Sequence, residues 1–458
     1  MMRRLTSNIV MAAFMAAIST GANAADWMVV PTDGQALAIA LEKAAAGDRL
    51  VVKAGHYAGP LVLDKPVTLE GEKGAEILGN DRGSVLTIQA PGAVVRGFEI
   101  RGSGKNLEAM DSGVFATEAA TAAIIEDNLI EGNLYGVYIH GAKDSITRAN
   151  KIIGTKQGRL SETGNGVTVW NAPGAKVLDN DISFGRDGIA TNASKRNVFS
   201  GNRFHSLRFA IHYMYTNDSE IVGNISSGNT VGYAIMFSRR LKITDNLSDG
   251  DRDHGLLLNS ADGSLISGNV VRGKMQPQMR WTTAGTHEDD GMTPGGDAAP
   301  QPEGNSDMRL GPEKCVFIYN ANKNRLLGNR FEGCAVGVHF TAGSEGNVMA
   351  GNAFVNNRNQ VKYVGTRYLD WSANGRGNYW SDNPAFDLNG DGIADSAYRP
   401  NDLMDKVLWT SPQAKVLTTS PAVQVLRWAQ AQFPALLPGG VVDRHPLMKS
   451  PPMVEVGR

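Results

Sequence analysis

The chain has 458 residues, with 53 glycines, 19 prolines and 2 cysteines, and its 45 basic side chains nearly balance its 46 acidic ones. A hydrophobic content of 42% excludes a disordered chain, and the many glycines disfavour a helical bundle. The net charge of −1 gives no nucleic-acid signature, and two cysteines cannot build a disulfide scaffold or a four-cysteine zinc site.

The first 24 residues have the pattern of a secretory signal peptide. Arg3 and Arg4 form a short basic start, residues 9–18 are apolar, and Ala22 and Ala24 are the small residues of a cleavage site. The apolar run is too short to span a bilayer. We therefore predict export to the periplasm, cleavage after Ala24, and a capping segment at residues 25–75.

Residues 76–366 repeat with a period of about 22 residues. Each repeat contains an apolar pair, an asparagine, and a second short apolar strand eight to twelve residues later. The repeated asparagines are Asn128, Asn150, Asn180, Asn202, Asn224, Asn246, Asn269, Asn329 and Asn352. Short strands at this period predict an all-β solenoid, a parallel β-helix, with the asparagines stacked as a hydrogen-bonded ladder. A β-propeller would need a period of roughly 40–45 residues.

The alternation of a strand predicts which side chains leave the core. Counting from each ladder asparagine, offsets +10 and +12 face outward, and they include Tyr138, His140, His212, Met214, Met236, Leu256, Leu258 and His339. The same count places Phe317 and Tyr319 outward, but Phe237 and Leu257 inward. An outer face rich in methionine, histidine and aromatic residues is typical of a contact surface, although covering loops would also explain it.

Met214 and Met236 share one offset in neighbouring coils, and His212 is two residues before Met214. Thioether and imidazole ligands select Cu(I) over hard cations, so these three residues form a candidate copper site. The alternative interpretation is an apolar patch with a histidine in it by chance.

A long insert at residues 274–312 interrupts the ladder between Asn269 and Asn329. It is rich in Gly and Pro, and its Met292 and Met308 are further candidate copper ligands beside the outward face. An insert whose methionines have no role is the alternative.

Residues 367–458 form a different C-terminal module. Asp387, Asn389, Asp391 and Asp395 occupy positions 1, 3, 5 and 9 of a calcium-like loop at 387–395, with Gly392 at position 6. The glutamate expected at position 12 is replaced by Tyr398, so a simple Asp/Gly turn is the alternative to structural Ca²⁺. Residues 421–431 then have the pattern of an amphipathic helix.

Several segments together resemble the NosD family: AIHYMYTND at 210–218, GYAIMFSRRL at 232–241, HFTAGSEGN at 339–347, GRGNYWSD at 375–382 and HPLM at 445–448. The resemblance implies a right-handed β-helix in a periplasmic, non-enzymatic accessory subunit of an ABC-type transporter. It further implies a role in assembling the copper centres of nitrous oxide reductase. Implied partners are a permease, an ATPase, a copper-chaperone lipoprotein and the apo-reductase, with contact to the membrane only through partners. The chain has no P-loop, so ATP would be bound by a partner. The cargo, copper or sulfur, is left open.

A polysaccharide lyase or uronate epimerase is the rival hypothesis, because β-helices also host such enzymes. The sequence Asp251-Arg-Asp-His254 offers carboxylates, a cation and a proton-abstracting histidine, although a polar corner would have the same composition. The repeat does not decide whether Cys315 and Cys334 are disulfide-bonded.

Overall fold

The computed structural model describes residues 24–156, 159–273, 313–341, 343–365, 367–402, 404, 405, 407, 420–432 and 439–452. Three long parallel sheets run along the chain, and each coil contributes one short strand to each sheet. This arrangement confirms the predicted parallel β-helix.

Sheet A has thirteen strands, one after another in chain order. Its strands are β1 (Asp26–Val29), β2 (Arg49–Val52), β5 (Thr68–Gly71), β8 (Val94–Arg96), β11 (Ile124–Glu126), β14 (Ile146–Arg148), β17 (Lys176–Leu178), β20 (Val198–Ser200), β23 (Glu220–Val222), β26 (Lys242–Thr244), β29 (Leu265–Ser267), β32 (Arg325–Leu327) and β35 (Val348–Ala350).

Sheet B also has thirteen strands. They are β3 (Gly55–Ala58), β6 (Ala75–Leu78), β9 (Glu99–Arg101), β12 (Leu129–Glu131), β15 (Lys151–Ile153), β18 (Asp181–Ser183), β21 (Arg203–His205), β24 (Ile225–Ser227), β27 (Leu247–Asp249), β30 (Val270–Arg272), β33 (Arg330–Glu332), β36 (Ala353–Val355) and β39 (Tyr379–Trp380).

Sheet C has twelve longer strands and carries the candidate site. They are β4 (Leu61–Leu63), β7 (Leu86–Ile88), β10 (Ser112–Ala116), β13 (Tyr135–His140), β16 (Val167–Trp170), β19 (Asp187–Asn192), β22 (Phe209–Met214), β25 (Val231–Met236), β28 (His254–Asn259), β31 (Lys314–Tyr319), β34 (Val336–Thr341) and β37 (Asn359–Val364).

The remaining elements lie outside these three sheets. Among the described residues they include helix α1 (Ala36–Lys43), a 3₁₀ turn (Leu160–Glu162), helix α2 (Pro421–Gln432) and a two-stranded sheet of β38 (Tyr368–Asp370) and β40 (Gly440–Val442). The first coils already pair within residues 25–75, where α1 is the non-repeating element. Among the described residues, no helix has the length and apolar character needed to cross a membrane.

The predicted asparagine ladder is present. Each ladder side chain donates to the next one along the solenoid, as Asn224 Nδ2 does to Asn246 Oδ1 at 3.0 Å. Asn269 donates directly to Asn329 at 2.9 Å, so the gap of 60 residues is a single rung with a long insert. The ladder continues one rung beyond the sequence prediction, to Asn378.

One coil has an extra residue, and it changes the predicted orientation of a strand. β25 pairs with β28 as Ala234↔Leu257 and Ile235↔Leu258, a spacing of 23 residues. The extra residue lies at the corner between Asp251 and His254, where the pairing changes from 22 to 23. Leu256 and Leu258 therefore face the core and Leu257 faces outward, contrary to the sequence prediction.

Phe237 was also predicted to face inward, and this is wrong. It follows the last residue of β25 at a left-handed corner, with φ 49°, and its side chain is 42% exposed. The offset count failed here because it carried the strand alternation past the end of the strand.

The C-terminal module closes the open end of the core. Trp380 is buried and stacks on Phe354 with 4.3 Å between ring centroids. Asp443 Oδ2 accepts hydrogen bonds from the Trp380 indole at 2.8 Å and from the Asn378 backbone N–H at 2.6 Å. The sequence motifs at 375–382 and 445–448 thus meet in a structural cap.

The helix predicted for residues 421–431 is present as α2, but its apolar face is not fully buried. Val423 is buried, whereas Val425, Leu426 and Trp428 are exposed.

Cys315 and Cys334 form a disulfide, with their Cα atoms 5.7 Å apart. Cys315 lies in β31 and Cys334 follows β33 at a corner of the same coil, so the turn between sheets brings the two residues together.

Candidate metal-binding face of sheet C

The outward side chains of sheet C form columns that run along the solenoid axis. One column reads Asn192, Met214, Met236 and Asn259 in successive strands. Adjacent strands lie about 4.8 Å apart, so the two thioethers are neighbours, as the sequence predicts. Both methionines are partly buried, and Met236 packs against an apolar cluster of Val231, Ala234, Leu257 and Phe317.

His212 lies in the next outward column and is held from behind. Its Nδ1 is 3.2 Å from Asp187 Oδ2, and its side chain is 18% exposed. Asp187 is buried and accepts two hydrogen bonds from Arg208, at 2.8 and 2.6 Å. The Phe209 ring meets His212 edge-on at 5.0 Å, and the Arg208 guanidinium lies over the same ring.

Charge on Asp187 is stabilised within this arrangement. Burial alone would raise the pKa of Asp187, but the hydrogen bond with His212 and the positive charge of Arg208 hold it well below its usual range. An ionised carboxylate only accepts hydrogen bonds, so His212 Nδ1 carries the proton. The lone pair of His212 is then on Nε2, the ring nitrogen not bonded to Asp187.

A depression of about 210 Å³ lies against these residues. Asp187, Arg208, His212 and Met214 line it on one side. Arg186, Asn165, Thr168 and Asn192 supply further polar groups. The His212–Met214 end of the predicted site therefore borders an open concave surface, and ligand exchange requires such access.

The other predicted copper ligands, Met292 and Met308, lie outside the described residues. His212, Met214 and Met236 are thus the part of the predicted set that the fold brings together. We call these three residues the Met–His cluster.

An exposed aromatic pair borders the Met–His cluster. Tyr215 and Phe237 directly follow the two methionines and stack at 5.1 Å with 9° between ring planes. Both have left-handed backbone conformations, with φ 46° and 49°, at a corner where neighbouring coils have Asn171, Ala193, Ser260 and Asn320.

The calcium-like loop forms a network of hydrogen bonds to its own backbone. The two carboxylate oxygens of Asp387 accept from Gly390 N and Gly392 N, at 2.7 and 2.8 Å. Asp395 Oδ2 accepts from Leu388 N at 2.7 Å, and Asn389 Nδ2 donates to Asp391 Oδ2 at 3.1 Å. Within the described ranges, no three His, Cys, Asp or Glu side chains form a group that could hold a metal ion. Calcium binding here stays a prediction.

The residues of the rival enzyme hypothesis do not form one site. Asp251 is fully buried at an inner corner, where it accepts from Ser226, Ser248 and the Asn229 backbone. His254 instead belongs to an outward column of sheet C, in register with Val231 and Lys314. Of the two carboxylates in the motif, Asp251 is thus a structural group inside the solenoid, whereas Asp253 pairs with its neighbour Arg252 at 3.1 Å.

Asp187 and Arg208 are the functional candidates that the sequence reasoning missed. Asp187 lies in the outward column that continues through Phe209, Val231, His254 and Lys314, and its signal was an acidic side chain at the start of a strand in that column. Reading the outward face at three positions per strand rather than two would have found Asp187.

Comparison with known families gives two matches along the chain. Residues 152–385 match the family described as "Periplasmic copper-binding protein (NosD)", and residues 73–205 match "Right handed beta helix region". The periplasmic location and the right-handed coil agree with the sequence predictions.

Two curated relatives match across nearly their whole length. One, from Stutzerimonas stutzeri, is 40% identical over 88% of this chain and 87% of its own. Another, from Pseudomonas aeruginosa, is 39% identical over 92% of both chains. Both are named "Probable ABC transporter binding protein NosD", which describes a binding protein and not an enzyme. Among solved structures, a DFA-IIIase from Arthrobacter chlorophenolicus A6 matches with a TM-score of 0.48 and 12% identity over 74% of this chain and 98% of its own.

Proposed function

The chain belongs to the NosD family, and we propose that it binds Cu(I) transiently on the outer face of sheet C during assembly of the copper centres of nitrous oxide reductase. The observation that carries the proposal is the Met–His cluster, in which register places Met214 beside Met236 and Asp187 orients His212. The family's description as copper-binding supports the choice of metal.

The chemistry of the ligands favours Cu(I). Two thioethers and one neutral imidazole are soft, uncharged donors, which suit Cu(I) and are poor ligands for Mg²⁺ or Ca²⁺. The carboxylate of Asp187 is engaged with Arg208 and His212, so it supports the site and is not a ligand. This donor set supports a cargo of copper rather than sulfur.

Asp187 would orient the ligand His212 without binding the metal itself. Ligating histidines commonly donate their second ring N–H to a carboxylate, which fixes the tautomer and the ring orientation. Arg208 in turn fixes the carboxylate with two hydrogen bonds. The chain Arg208–Asp187–His212 therefore presents Nε2 as a ready ligand without burying an unpaired charge.

The cluster suits transfer rather than storage. It supplies three donors on an outer surface beside an open depression, so a protein that gives or takes copper can exchange its own ligands at the metal. We propose the copper-chaperone lipoprotein as donor and the apo-reductase as acceptor. An ABC permease and ATPase would link this exchange to ATP and the membrane, in keeping with the names of the relatives.

The test is titration of the mature protein with Cu(I) against a competing chelator. Met214→Leu combined with Met236→Leu preserves side-chain volume and removes both thioethers. Asp187→Asn is expected to weaken Cu(I) binding roughly 10- to 100-fold by releasing His212, and the double methionine variant is expected to weaken it further.

Met28→Leu is the matched control, because Met28 is 69% exposed and distant in sequence from sheet C. It should leave the affinity for Cu(I) unchanged. Wild-type stoichiometry and affinity in the double methionine variant would overturn the copper site.

A further inference from the structure

A second polar cluster lies on the same outer face, several strands further along the solenoid. Lys314, Phe317, His339 and Lys362 belong to the adjacent strands β31, β34 and β37. None of these residues is among the candidate copper ligands, although Phe317 also belongs to the apolar cluster against which Met236 packs.

The cluster is built around the Phe317 ring. The Lys314 ammonium lies 4.9 Å from the ring centroid, and His339 stacks on Phe317 with centroids 4.8 Å apart. Lys362 is the neighbour of His339 in the next strand, so both cations border one aromatic surface.

Positive charge in this cluster exceeds negative charge. Lys314 is 8% exposed, and its one ion pair within the described ranges is a marginal contact with Glu313 at 4.0 Å. Lys362 has no ion pair among the described residues. Among the described residues, two ammonium groups with one carboxylate beside them leave an excess of one positive charge at this partly buried cluster.

The surroundings penalise this excess charge. Burial, with the neighbouring Lys314, lowers the pKa of Lys362, although Glu313 partly opposes this. Burial, together with Lys314, Lys362 and His254, lowers the pKa of His339 to about 3, so His339 is neutral. The buried Nδ1 of His339 has no hydrogen-bond partner in the part of the chain that the structure describes. Buried charges and buried polar atoms ordinarily have partners, and the described residues supply too few of them at this cluster.

We propose that Lys314, His339 and Lys362 form a binding site for a small monovalent anion, a carboxylate or a halide. Its charge would balance the excess ammonium, and His339 would supply a hydrogen bond. The Phe317 ring limits the space on the inner side, which favours a small ligand over a large polyanion.

The test uses the mature protein at constant ionic strength, with the sodium salt of a bulky sulfonate buffer replaced stepwise by sodium chloride or by sodium acetate. We expect a saturable rise in melting temperature with at least one of the two, because a ligand that binds only the folded state stabilises it. A response to acetate alone identifies a carboxylate site, and a response to chloride alone identifies a halide site.

The variant that removes the site is Lys314→Gln combined with Lys362→Gln, and it should abolish the anion response. Lys242→Gln is the matched control, since Lys242 is an exposed lysine paired with Glu220 on sheet A, and it should keep the response. Cu(I) affinity should be unchanged in both, which separates this site from the Met–His cluster.

A second measurement needs no variant. The ring ¹⁵N resonances of His339 in the wild-type protein should shift with chloride or acetate over the same concentrations as the melting temperature. The absence of any response in both measurements, or the same melting response in the double lysine variant, would overturn the anion site.

Discussion

The inner asparagine corner and the outer face of sheet C come from the same coils but follow different rules. At the corner, the coils from Asn128 to Asn378 repeat one residue type, each of these side chains is almost fully buried, and each has similar hydrogen bonds. On the outer face, one column contains Asn192, Met214, Met236 and Asn259, so the residue type changes along the column.

The corner serves folding, whereas the outer face is available for function. A buried amide with several hydrogen bonds cannot be changed without leaving partners unsatisfied, so the corner is uniform. A side chain on the outer face has few obligatory partners, so its chemistry is free to vary from coil to coil. Candidates for function, such as Asp187 and Tyr215, are therefore found on the outer face, where one coil differs from its neighbours.

The largest expected effect comes from breaking the ladder. Asn224→Ala would leave the Asn202 N–H without its acceptor, Asn202 Nδ2 with only the Val177 carbonyl, and the Phe199 carbonyl without its side-chain donor. We expect a loss of about 3 kcal/mol or more in the free energy of unfolding, measured by denaturant titration.

Asn192→Ala is the matched control for the ladder variant. Asn192 is an asparagine of the same coil repeat on the exposed outer face, and its removal should change stability by less than about 0.5 kcal/mol. Equal effects of the two variants would contradict the distinction between corner and face.

A smaller effect is expected at Asp251, a buried acidic residue at the corner between sheets B and C. Asp251 occupies the place held by Asn229 in the preceding coil, and burial raises its pKa to about 6 despite hydrogen bonds from Ser248, Ser226 and Asn229. The folded state thus holds the proton more tightly than the unfolded chain, so stability falls as pH rises from about 4 through about 6.

Asp251→Asn should remove this dependence on pH and raise the free energy of unfolding by about 1–3 kcal/mol at pH 7.5. Thermal unfolding of both proteins between pH 4 and pH 8 measures it. A variant that is less stable than wild type at the upper end of this range would show that Asp251 is stabilising when ionised.

The smallest effect on stability is expected at the exposed aromatic pair. Tyr215→Asn and Phe237→Ser introduce residue types that neighbouring coils use at the same left-handed corner. Relief of backbone strain should offset the lost ring stacking, so the free energy of unfolding should stay within about 1 kcal/mol of wild type. A larger loss, measured by denaturant titration, would show that the pair belongs to the folding framework.

The sequence predicted the solenoid because its apolar residues and asparagines recur at a regular spacing. A 22-residue period with a fixed asparagine defines the coils, and local strand alternation then places Met214 beside Met236. The same reasoning failed for Leu257, because one extra residue at a corner inverts every side chain of the following strand. It also missed Asp187 and Arg208, whose charges meet only through pairing of adjacent coils.

The period, the ladder and the pairing of the two methionines were thus determined by the amino-acid sequence itself, since each depends on spacing along one chain. Only the tertiary structure decided that Asp187 lies beside His212, that Asp251 is buried away from His254, and that Lys314 lies over the Phe317 ring while Lys362 is next to His339. The physical reason is that burial and electrostatic coupling depend on distances between coils, and spacing along the chain does not specify them. The composition gives a net charge near zero. Among the described residues, however, the fold places Lys314 and Lys362 near a single carboxylate on sheet C.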